Sequence, residues 1–221
     1  SINIVSSGGR GANNNVSRTI SMLFNLNKIS KKIDIIEPNT IISFLPRANI
    51  VNILTKIFFK KEYRCIIVEQ NFNIFNYNSS FLGRIFLKVM IFAYPKADII
   101  ITNAKALGED VYKRFDVSKK KIKVIYSPFD LKKITSLSKE VVNHHWFSDE
   151  IPILIHVGRL IEQKNQLLLL KSFKRVRKKI VSRLLIIGDG ELDKSLKAKT
   201  IELGLNKDVE FLGWKDNIFK Y

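Results

Sequence analysis

Residues Ile153 to Gln166 read I-L-I-H-V-G-R-L-I-E-Q-K-N-Q, and this stretch decides how the second half of the chain folds. Its apolar start predicts a buried strand that ends at Val157. Gly158 has no Cβ, so the backbone can turn sharply there and a ligand can come close. Arg159 and Lys164 flank this turn just before a helix, whose first N–H groups have no intrahelical partner. The stretch therefore predicts a seat for a diphosphate, and the alternative is an ordinary turn with two solvated cations.

The segments that follow repeat the alternation of strand and helix. An amphipathic helix is expected after Asn165, with its lysines and arginines solvated and four apolar residues facing the core. A helix from Glu191 to Leu203 then separates two further apolar strands, and Gly204 is a suitable residue to end it. The four core-facing residues are Leu169, Phe173, Val176 and Ile180, and the two strands are Leu184 to Ile187 and Val209 to Trp214.

Short loops between alternating strands and helices specify βαβ units and a parallel sheet. In such sheets ligands bind at the carboxyl ends of the strands. Two glycine-containing segments follow strands here, Gly158-Arg159 and Gly188-Asp189-Gly190. We therefore expect these two segments to lie next to each other at one edge of the sheet.

The first half of the chain shows the same style of organisation. A short strand at residues 2–5 is expected, followed by a polar loop that could instead be a glycine turn, and then by a helix at about 17–32. Glu69, Gln70 and Asn71 follow an apolar strand, where a parallel strand opens onto a site; the alternative is a solvated strand-end turn. Asn103 can cap the next helix. Four strands are predicted, at 41–45, 65–68, 99–101 and 122–125, and an amphipathic helix is predicted from Leu82, Ile85, Phe86 and Val89.

Three motifs in the second half, H-V-G-R-L-x-x-Q-K-N, L-L-I-I-G-D-G-x-L and V-x-F-L-G-W, together resemble a known family. They are similar to the donor-binding half of the retaining glycosyltransferases of family 4, which have the two-domain GT-B fold. The resemblance implies that Arg159 and Lys164 hold the diphosphate of a nucleotide-diphosphate sugar and act in catalysis. It also implies a donor-binding surface that includes the two glycine-containing segments. The part of this surface at the end of the third strand would lie near the nucleoside base. That surface comprises Gly158, Gly188, Asp189, Gly190, Leu212, Gly213 and Trp214.

The stretch from about Ile41 through Asp130 resembles the acceptor domain of the same family. I-S-F-L-P-R-A-N-I, V-E-Q-N, A-D-I-I-I-T-N and V-I-Y-S-P-F-D are similar to its successive strand ends. Family members place a polar or histidine-bearing loop near the reacting sugar, and this chain has Glu69 and Asn71 there but no histidine. The resemblance makes these two residues acceptor-side candidates. Asp130 is expected to shape the turn between the domains.

The expected fold is therefore α/β, with two Rossmann-like parallel-sheet domains of GT-B type and the second apparently truncated. The predicted boundaries are an acceptor domain at 1–135, a linker at 136–150 and the first half of a nucleotide-sugar-binding domain at 151–221. The linker contains His144 and His145, but adjacent side chains rarely face one ion, and no carboxylate or cysteine completes a ligand set. We therefore expect no metal site and no cofactor.

Composition sets the outer limits. A formal charge of +18 over 221 residues predicts attraction to nucleic acid, to an anionic membrane face or to phosphate-bearing substrates. The single cysteine, Cys65, excludes an internal disulfide, lies in an apolar run expected to be core, and fits a reducing compartment. No apolar run reaches about 18 residues, and the start lacks a signal-peptide pattern. A cytoplasmic location is expected, with peripheral attachment to the inner membrane face through Lys56 to Arg64 and Lys119 to Lys123 as an open alternative.

The sequence thus predicts a hexosyl-type glycosyltransferase. It would move sugar from a nucleotide-diphosphate sugar to a glycan or lipid-linked acceptor with retention of configuration, as in surface polysaccharide biosynthesis. A basic nucleic-acid-binding protein and a catalytically silent transferase fragment remain alternatives. Family members continue with further βα units that carry acidic donor contacts, so we expect the chain to be part of a longer protein. Activity of the 221 residues alone stays open.

Overall fold

A computed structural model of the chain describes residues 15–71 and 81–221, with side chains described from residue 26 onward. The chain divides into two compact units, Ser1–Pro128 and Phe129–Tyr221, and residues 136–150 lie in the second unit. The strand and polar loop predicted before the first helix fall outside the described residues. Among the helices that are described, none has the combined length and apolar character that crossing a bilayer requires.

The first unit contains a four-stranded parallel sheet in the order β1-β2-β3-β4. Parallel neighbours that follow each other in sequence need a crossover between them, and helices occupy the described parts of these crossovers. Single 3-10 turns follow the third helix, at Tyr94–Lys96, and precede the last strand, at Lys119–Lys121. The elements are α1 Asn15–Ile36, β1 Thr40–Phe44, α2 Pro46–Phe58, β2 Arg64–Glu69, α3 Phe81–Ala93, β3 Ile99–Thr102, α4 Lys105–Phe115 and β4 Ile122–Val124.

The core of this unit lies between the sheet and its helices. Helix α2 is buried along most of its length, as its apolar residues predict, and it packs against β1 and β2. Cys65 on β2 is fully buried, as expected, and burial raises the pKa of its thiol to about 12. Two asparagines of α2 also lie in this interior, where Asn52 donates to the Ser43 hydroxyl and Asn49 accepts from it. The hydroxyl and amide groups thus satisfy each other where water is excluded.

The second unit contains a three-stranded parallel sheet in the order β5-β6-β7. Its core forms between the sheet and two helices and includes Leu160, Leu170, Phe173 and Leu184. The two parallel sheets confirm the predicted α/β class with two Rossmann-like domains. The elements are α5 Leu131–Leu137, β5 Ile153–Val157, α6 Gln166–Arg177, β6 Arg183–Ile187, α7 Asp193–Glu202 and β7 Val209–Gly213, with 3-10 turns at His145–Ser148 and Glu162–Lys164.

Two predicted caps have different outcomes. Asp130 shapes its turn as expected, because its carboxylate accepts from the Lys133 N–H at 3.0 Å and caps α5. The cap predicted for Asn103 is wrong. Helix α4 begins one residue later, with Ala104 at its N-cap, and the Asn103 amide instead donates to the Gln70 carbonyl at 3.4 Å. That contact links the carboxyl ends of β2 and β3.

Two helices bury only part of the face that was predicted. On α6 the buried residues are Gln166, Leu170 and Phe173, whereas Val176 is exposed and Ile180 lies beyond the end of the helix at Arg177. On α3 the predicted residues Phe86 and Val89 pack against the core, whereas Ile85 is exposed. The fully buried residues of this helix are Gly83, Met90 and Ala93. In both cases the neighbouring elements, rather than the apolar spacing alone, determine which side of the helix packs.

Candidate functional site

The turn after β5 lies against the loop after β6, as the sequence predicts for parallel strand ends. The Gly158 N–H donates to the Ile187 carbonyl at 3.0 Å, and the Leu160 N–H donates to the Asp189 carbonyl at 2.9 Å. The strand end of β7 joins them, because the Gly188 N–H donates to the Gly213 carbonyl at 2.9 Å. Backbone hydrogen bonds therefore hold three strand ends together at one edge of the sheet.

Two glycines are required for this close approach. A Cβ at Gly188 would lie 2.0 Å from the Gly158 carbonyl oxygen, and Gly188 has a φ of +138° that side chains rarely adopt. A Cβ at Gly190 would lie 2.4 Å from the Leu160 carbonyl oxygen. The segment Gly188-Asp189-Gly190 thus packs backbone to backbone against the turn that carries Arg159. The Asp189 carboxylate accepts from the Gly190 N–H at 2.7 Å.

Arg159 and Lys164 are both exposed at this edge. Neither cation forms an ion pair among the described residues. The Lys164 stem bends back over the turn, because its Cδ lies 3.9 Å from the position that a Cβ on Gly158 would occupy. Lys164 ends a 3-10 turn, and Asn165, in the left-handed conformation at φ 49°, leads directly into α6. Two uncompensated charges therefore flank a glycine at the carboxyl end of β5, which is the arrangement an anionic ligand needs.

Gln166 stabilises the turn through a buried side-chain hydrogen bond, a role that the sequence interpretation missed. The side chain is fully buried, and its amide donates to the Arg159 carbonyl at 2.8 Å. The same amide nitrogen lies 3.2 Å from His156 Nε2. The first residue of α6 therefore ties the middle of the turn to β5. A sequence signal was available, because Gln166 stands seven residues before the core residue Phe173 and so shares its helical face.

His156 is the second missed residue. Burial, reinforced by the nearby charge of Lys164, lowers the pKa of this imidazole. Because the Gln166 amide donates to Nε2, the neutral ring carries its proton on Nδ1. A neutral histidine beside two cations adds no repulsion to the turn at neutral pH. Since its native pKa is depressed, the stability that the neutral ring provides is lost as the pH falls below the ordinary value of about 6.5.

The segment expected near a nucleoside base follows the third strand. Leu212 and Gly213 end β7, and Gly213 has a φ of +68°. Trp214 is exposed, and its indole N–H donates to the Asp216 carboxylate at 3.3 Å. An exposed indole beside a strand end presents a flat apolar surface on which a base can stack.

The acceptor-side candidates lie in the first unit, at the end of β2. Glu69 is only 4% exposed, so a solvated strand-end turn does not describe it. Its Oε1 accepts from the Asn49 amide at 3.1 Å and from the Tyr94 hydroxyl. Burial raises the pKa of this carboxyl, while the two hydrogen bonds oppose the shift. Asn71 is exposed two residues further on. The acceptor role of both residues stays a prediction.

The histidine pair of the second unit has the carboxylate that the sequence interpretation did not find. That premise is wrong, because β7 brings Glu210 close to His144, with Oε2 3.3 Å from Nε2. His144 Nδ1 accepts from the Trp146 N–H at 3.2 Å, so in the neutral ring Nε2 carries the proton and points at Glu210. The ring of His145 stacks on that of His144 at 4.8 Å. His144 Nε2 and the Glu210 carboxylate are thus close in space but not hydrogen-bonded, and with His145 they form a group of side chains in the described residues that could hold a metal ion.

Comparison with protein families identifies the domain that contains this site. Residues 139–221 match the family model described as Glycosyl transferases group 1. This part of the second unit is thus similar to the group 1 glycosyl transferases, and the chain has the fold of the GT-B glycosyltransferases.

Individual relatives agree with this class. The chain is 32% identical over 203 residues to an uncharacterized glycosyltransferase of Methanocaldococcus jannaschii, which covers 88% of this chain and 50% of the relative. It is also 32% identical over 179 residues to N-acetylgalactosamine-N,N'-diacetylbacillosaminyl-diphospho-undecaprenol 4-alpha-N-acetylgalactosaminyltransferase of Campylobacter jejuni, which covers 80% of this chain and 47% of the relative. The chain therefore spans about half the length of the curated relatives it matches.

Among solved structures, Anabaena HepE in complex with UDP and glucose superimposes with a TM-score of 0.66 at 19% identity. This match covers 89% of this chain and 53% of that structure. At this level of identity the likeness establishes the fold.

Proposed function

We propose that this chain is the acceptor domain and the first half of the donor-binding domain of a retaining family 4 glycosyltransferase. Its substrate would be a nucleotide-diphosphate sugar, from which a hexose-type unit passes to a glycan or a lipid-linked acceptor in surface polysaccharide biosynthesis. The observation that carries the proposal is the turn after β5. Arg159 and Lys164, two exposed cations that have no acidic partner in the described part of the chain, flank Gly158 at a strand end that is fastened to Gly188.

The chemistry of this turn suits the departing diphosphate. When the bond between sugar and diphosphate breaks, negative charge develops on the phosphate oxygens. The guanidinium of Arg159 can donate two parallel hydrogen bonds to them, and Lys164 adds a compact mobile charge. Gln166 keeps the Arg159 carbonyl in place from below, so the cations are positioned before the ligand arrives. Leu212, Gly213 and Trp214 would form the surface near the nucleoside base.

The relatives support the choice of donor and acceptor. The name of the Campylobacter jejuni relative describes a transferase acting on a saccharide linked to diphospho-undecaprenol. The Anabaena neighbour was crystallised with UDP and glucose. By analogy the acceptor here would be lipid-linked, with Glu69 and Asn71 as acceptor-side residues of the first unit. Such an acceptor places the protein in the cytoplasm at the inner face of the membrane, as a peripheral protein.

Nucleotide binding by the chain tests the donor site. Titration with UDP, ADP and GDP, followed by fluorescence of the exposed Trp214 and by calorimetry, should show binding of one diphosphate. Arg159→Ala and Lys164→Ala should each weaken that binding roughly tenfold to a hundredfold, because each removes a charge-assisted hydrogen bond. Their urea unfolding curves should match the parent, since both side chains are exposed.

The matched control is Lys171→Ala, which removes an exposed lysine of α6 away from the turn. Affinity equal to the parent in the Arg159 and Lys164 variants would refute the phosphate assignment. Preferential binding of random oligonucleotides would favour the nucleic-acid alternative instead. Nucleotide binding without sugar transfer to a lipid-linked acceptor would identify the chain as a silent transferase fragment.

A further inference from the structure

Helix α3 exposes a broad apolar face that its own unit does not use. Phe81 is 71% exposed and Phe92 is 55% exposed, and both have large rings. Ile85 and Ile91 are exposed beside them. At 3.6 residues per turn, the exposed residues of this helix lie within an arc of about 120°, and we call them the outer face of α3. This outer face comprises Phe81, Arg84, Ile85, Lys88, Ile91 and Phe92.

The packing of α3 explains why this face is not part of the core. Met90 and Ala93 are buried on the opposite side, where α3 packs against α2 and α4. The outer face therefore points away from the interior of the first unit. Exposed single apolar residues are common, but four large ones lie together on three turns of this helix, and such contiguous apolar patches mark interaction surfaces.

The charges on the outer face have a single sign. Arg84 and Lys88 lie among the apolar side chains, and helix α3 contains no aspartate or glutamate. Neither cation forms an ion pair within the described part of the chain. Just beyond the helix, the Lys96 ammonium lies 5.5 Å from the centre of the Phe92 ring. A helix with phenylalanine and isoleucine interleaved with cations is typical of segments that lie in the headgroup region of a membrane.

The lysine-rich stretches that the sequence suggested for membrane contact are used differently. Lys56 pairs with Asp98 at 2.5 Å, and Lys61 pairs with Asp34. Lys119 lies 3.5 Å from Glu109, and the Lys121 ammonium donates to the carbonyls of Pro95 and Ala97. Four cations of these stretches thus have contacts within the unit. The first stretch also exposes Phe58 and Phe59, but its Lys56 and Lys61 are paired, whereas Arg84 and Lys88 form no ion pair among the described residues.

We propose that the outer face of α3 docks onto an anionic lipid surface. The rings and isoleucine side chains would enter the headgroup boundary while Arg84 and Lys88 contact lipid phosphates. At 13 residues the helix is too short to span a bilayer, so it would lie along the surface. A second copy of the chain is a poorer occupant, since a symmetric contact would bring the cations of two such faces together, and the outer face has no acidic residue to offset them. This inference deepens the proposed function, because a lipid-linked acceptor lies in such a membrane, but it can be tested without sugar transfer.

Vesicle co-sedimentation of the whole chain tests the proposal. Vesicles of phosphatidylethanolamine with phosphatidylglycerol should bind the chain more strongly than phosphatidylcholine vesicles. Arg84→Glu with Lys88→Glu should lower the partition coefficient at least about tenfold, because two attractive charges become repulsive. Phe81→Ser with Phe92→Ser should lower it on anionic vesicles without changing the net charge. Circular dichroism confirms that each variant keeps its helices, and UDP titration reports separately on the donor site.

The matched control is Lys171→Glu with Arg175→Glu, which makes the same charge change on exposed residues of α6. An equal loss of binding in this control would show nonspecific attraction of a basic protein and would overturn the proposal. Parent-level binding by either α3 variant, or equal sedimentation with neutral vesicles, would overturn it as well. So would a phenylalanine variant that changes only the oligomeric state, since the face would then join copies of the chain. Intact UDP binding in the α3 variants keeps the two proposals separate.

Discussion

The charged side chains at the carboxyl end of β2, in the first unit, and after β5, in the second, differ in burial and in hydrogen bonding. Glu69 is buried at the end of β2, where Asn49 and Tyr94 satisfy it. After β5, Arg159 and Lys164 are exposed, and only the backbone of their turn is fastened. Similar βαβ architecture thus gives one strand end that stabilises its own unit and one that leaves its charges available to a ligand.

The difference depends first on Gly188, so its substitution should have the largest effect. In Gly188→Ala the new Cβ would meet the Gly158 carbonyl oxygen at 2.0 Å, in a backbone conformation that alanine rarely adopts. We expect the free energy of unfolding of the second unit to fall by about 3 kcal/mol or more, with loss of UDP binding. Urea unfolding and nucleotide titration measure the two effects.

Gly204→Ala is the control for this variant. Gly204 also has a positive φ, of +71°, but no heavy atom lies within 4 Å of its Cβ position. It should cost only about 1 kcal/mol and leave UDP binding intact. Equal losses in the two variants would mean that conformation alone, and not the contact between the two strand ends, requires glycine at 188.

Gln166→Leu sharpens the comparison, because it removes the buried donor beneath the exposed cations. The Arg159 carbonyl and His156 Nε2 would lose their hydrogen bonds, which should lower the free energy of unfolding by about 1 to 2 kcal/mol. UDP affinity should fall because the turn is less well held. The pKa of His156, followed by NMR titration, should rise when the neutral ring loses its donor.

Gln163→Leu provides the comparison within the same turn, since Gln163 is exposed. It should change neither the pKa of His156 nor the affinity for UDP. If Gln166→Leu lowered stability but left both readouts at the parent values, Gln166 would be a core residue without a positioning role.

Glu69→Gln should give an effect on stability that depends on pH. Burial raises the pKa of the native Glu69 carboxyl, so the folded protein binds more protons than the unfolded chain, and stability falls as the pH rises above the ordinary value of about 4.3. Glutamine keeps the acceptor oxygen for Asn49 and Tyr94 but does not ionise. The variant should therefore gain stability relative to the parent between pH 4 and pH 7, by about 1.4 kcal/mol for each unit by which the native pKa is raised.

Urea unfolding at several pH values measures this difference. Glu62→Gln removes an exposed glutamate of the same unit and is the control for loss of a surface charge. A constant difference between Glu69→Gln and the parent across the range would mean that Glu69 does not titrate abnormally in the native protein.

Local sequence patterns were sufficient to predict where the strands lie but neither their burial nor the contacts between them. The expected burial of β5 is wrong, because Leu154, Ile155 and Val157 are exposed. The runs that became β5 and β6 are apolar, and glycines follow them, so the class of fold and the meeting of Gly158 with Gly188 could be predicted. The roles of Gln166 and Glu69 could not, because each depends on partners that the fold brings from elsewhere. The exposure of Ile85 on α3 could not be predicted for the same reason, since spacing shows that a helix has two faces but not how far its neighbours cover each one.

The burial of Cys65 makes the single thiol a reporter of local opening. Alkylating reagents attack the thiolate, and a buried group with a pKa of about 12 is neither ionised nor accessible at neutral pH. Modification must therefore wait for the β2 region to open, and its rate measures how often that happens. Since the sequence has one cysteine, mass spectrometry can measure the rate of local opening in the first sheet, with no signal from a thiol in the second sheet.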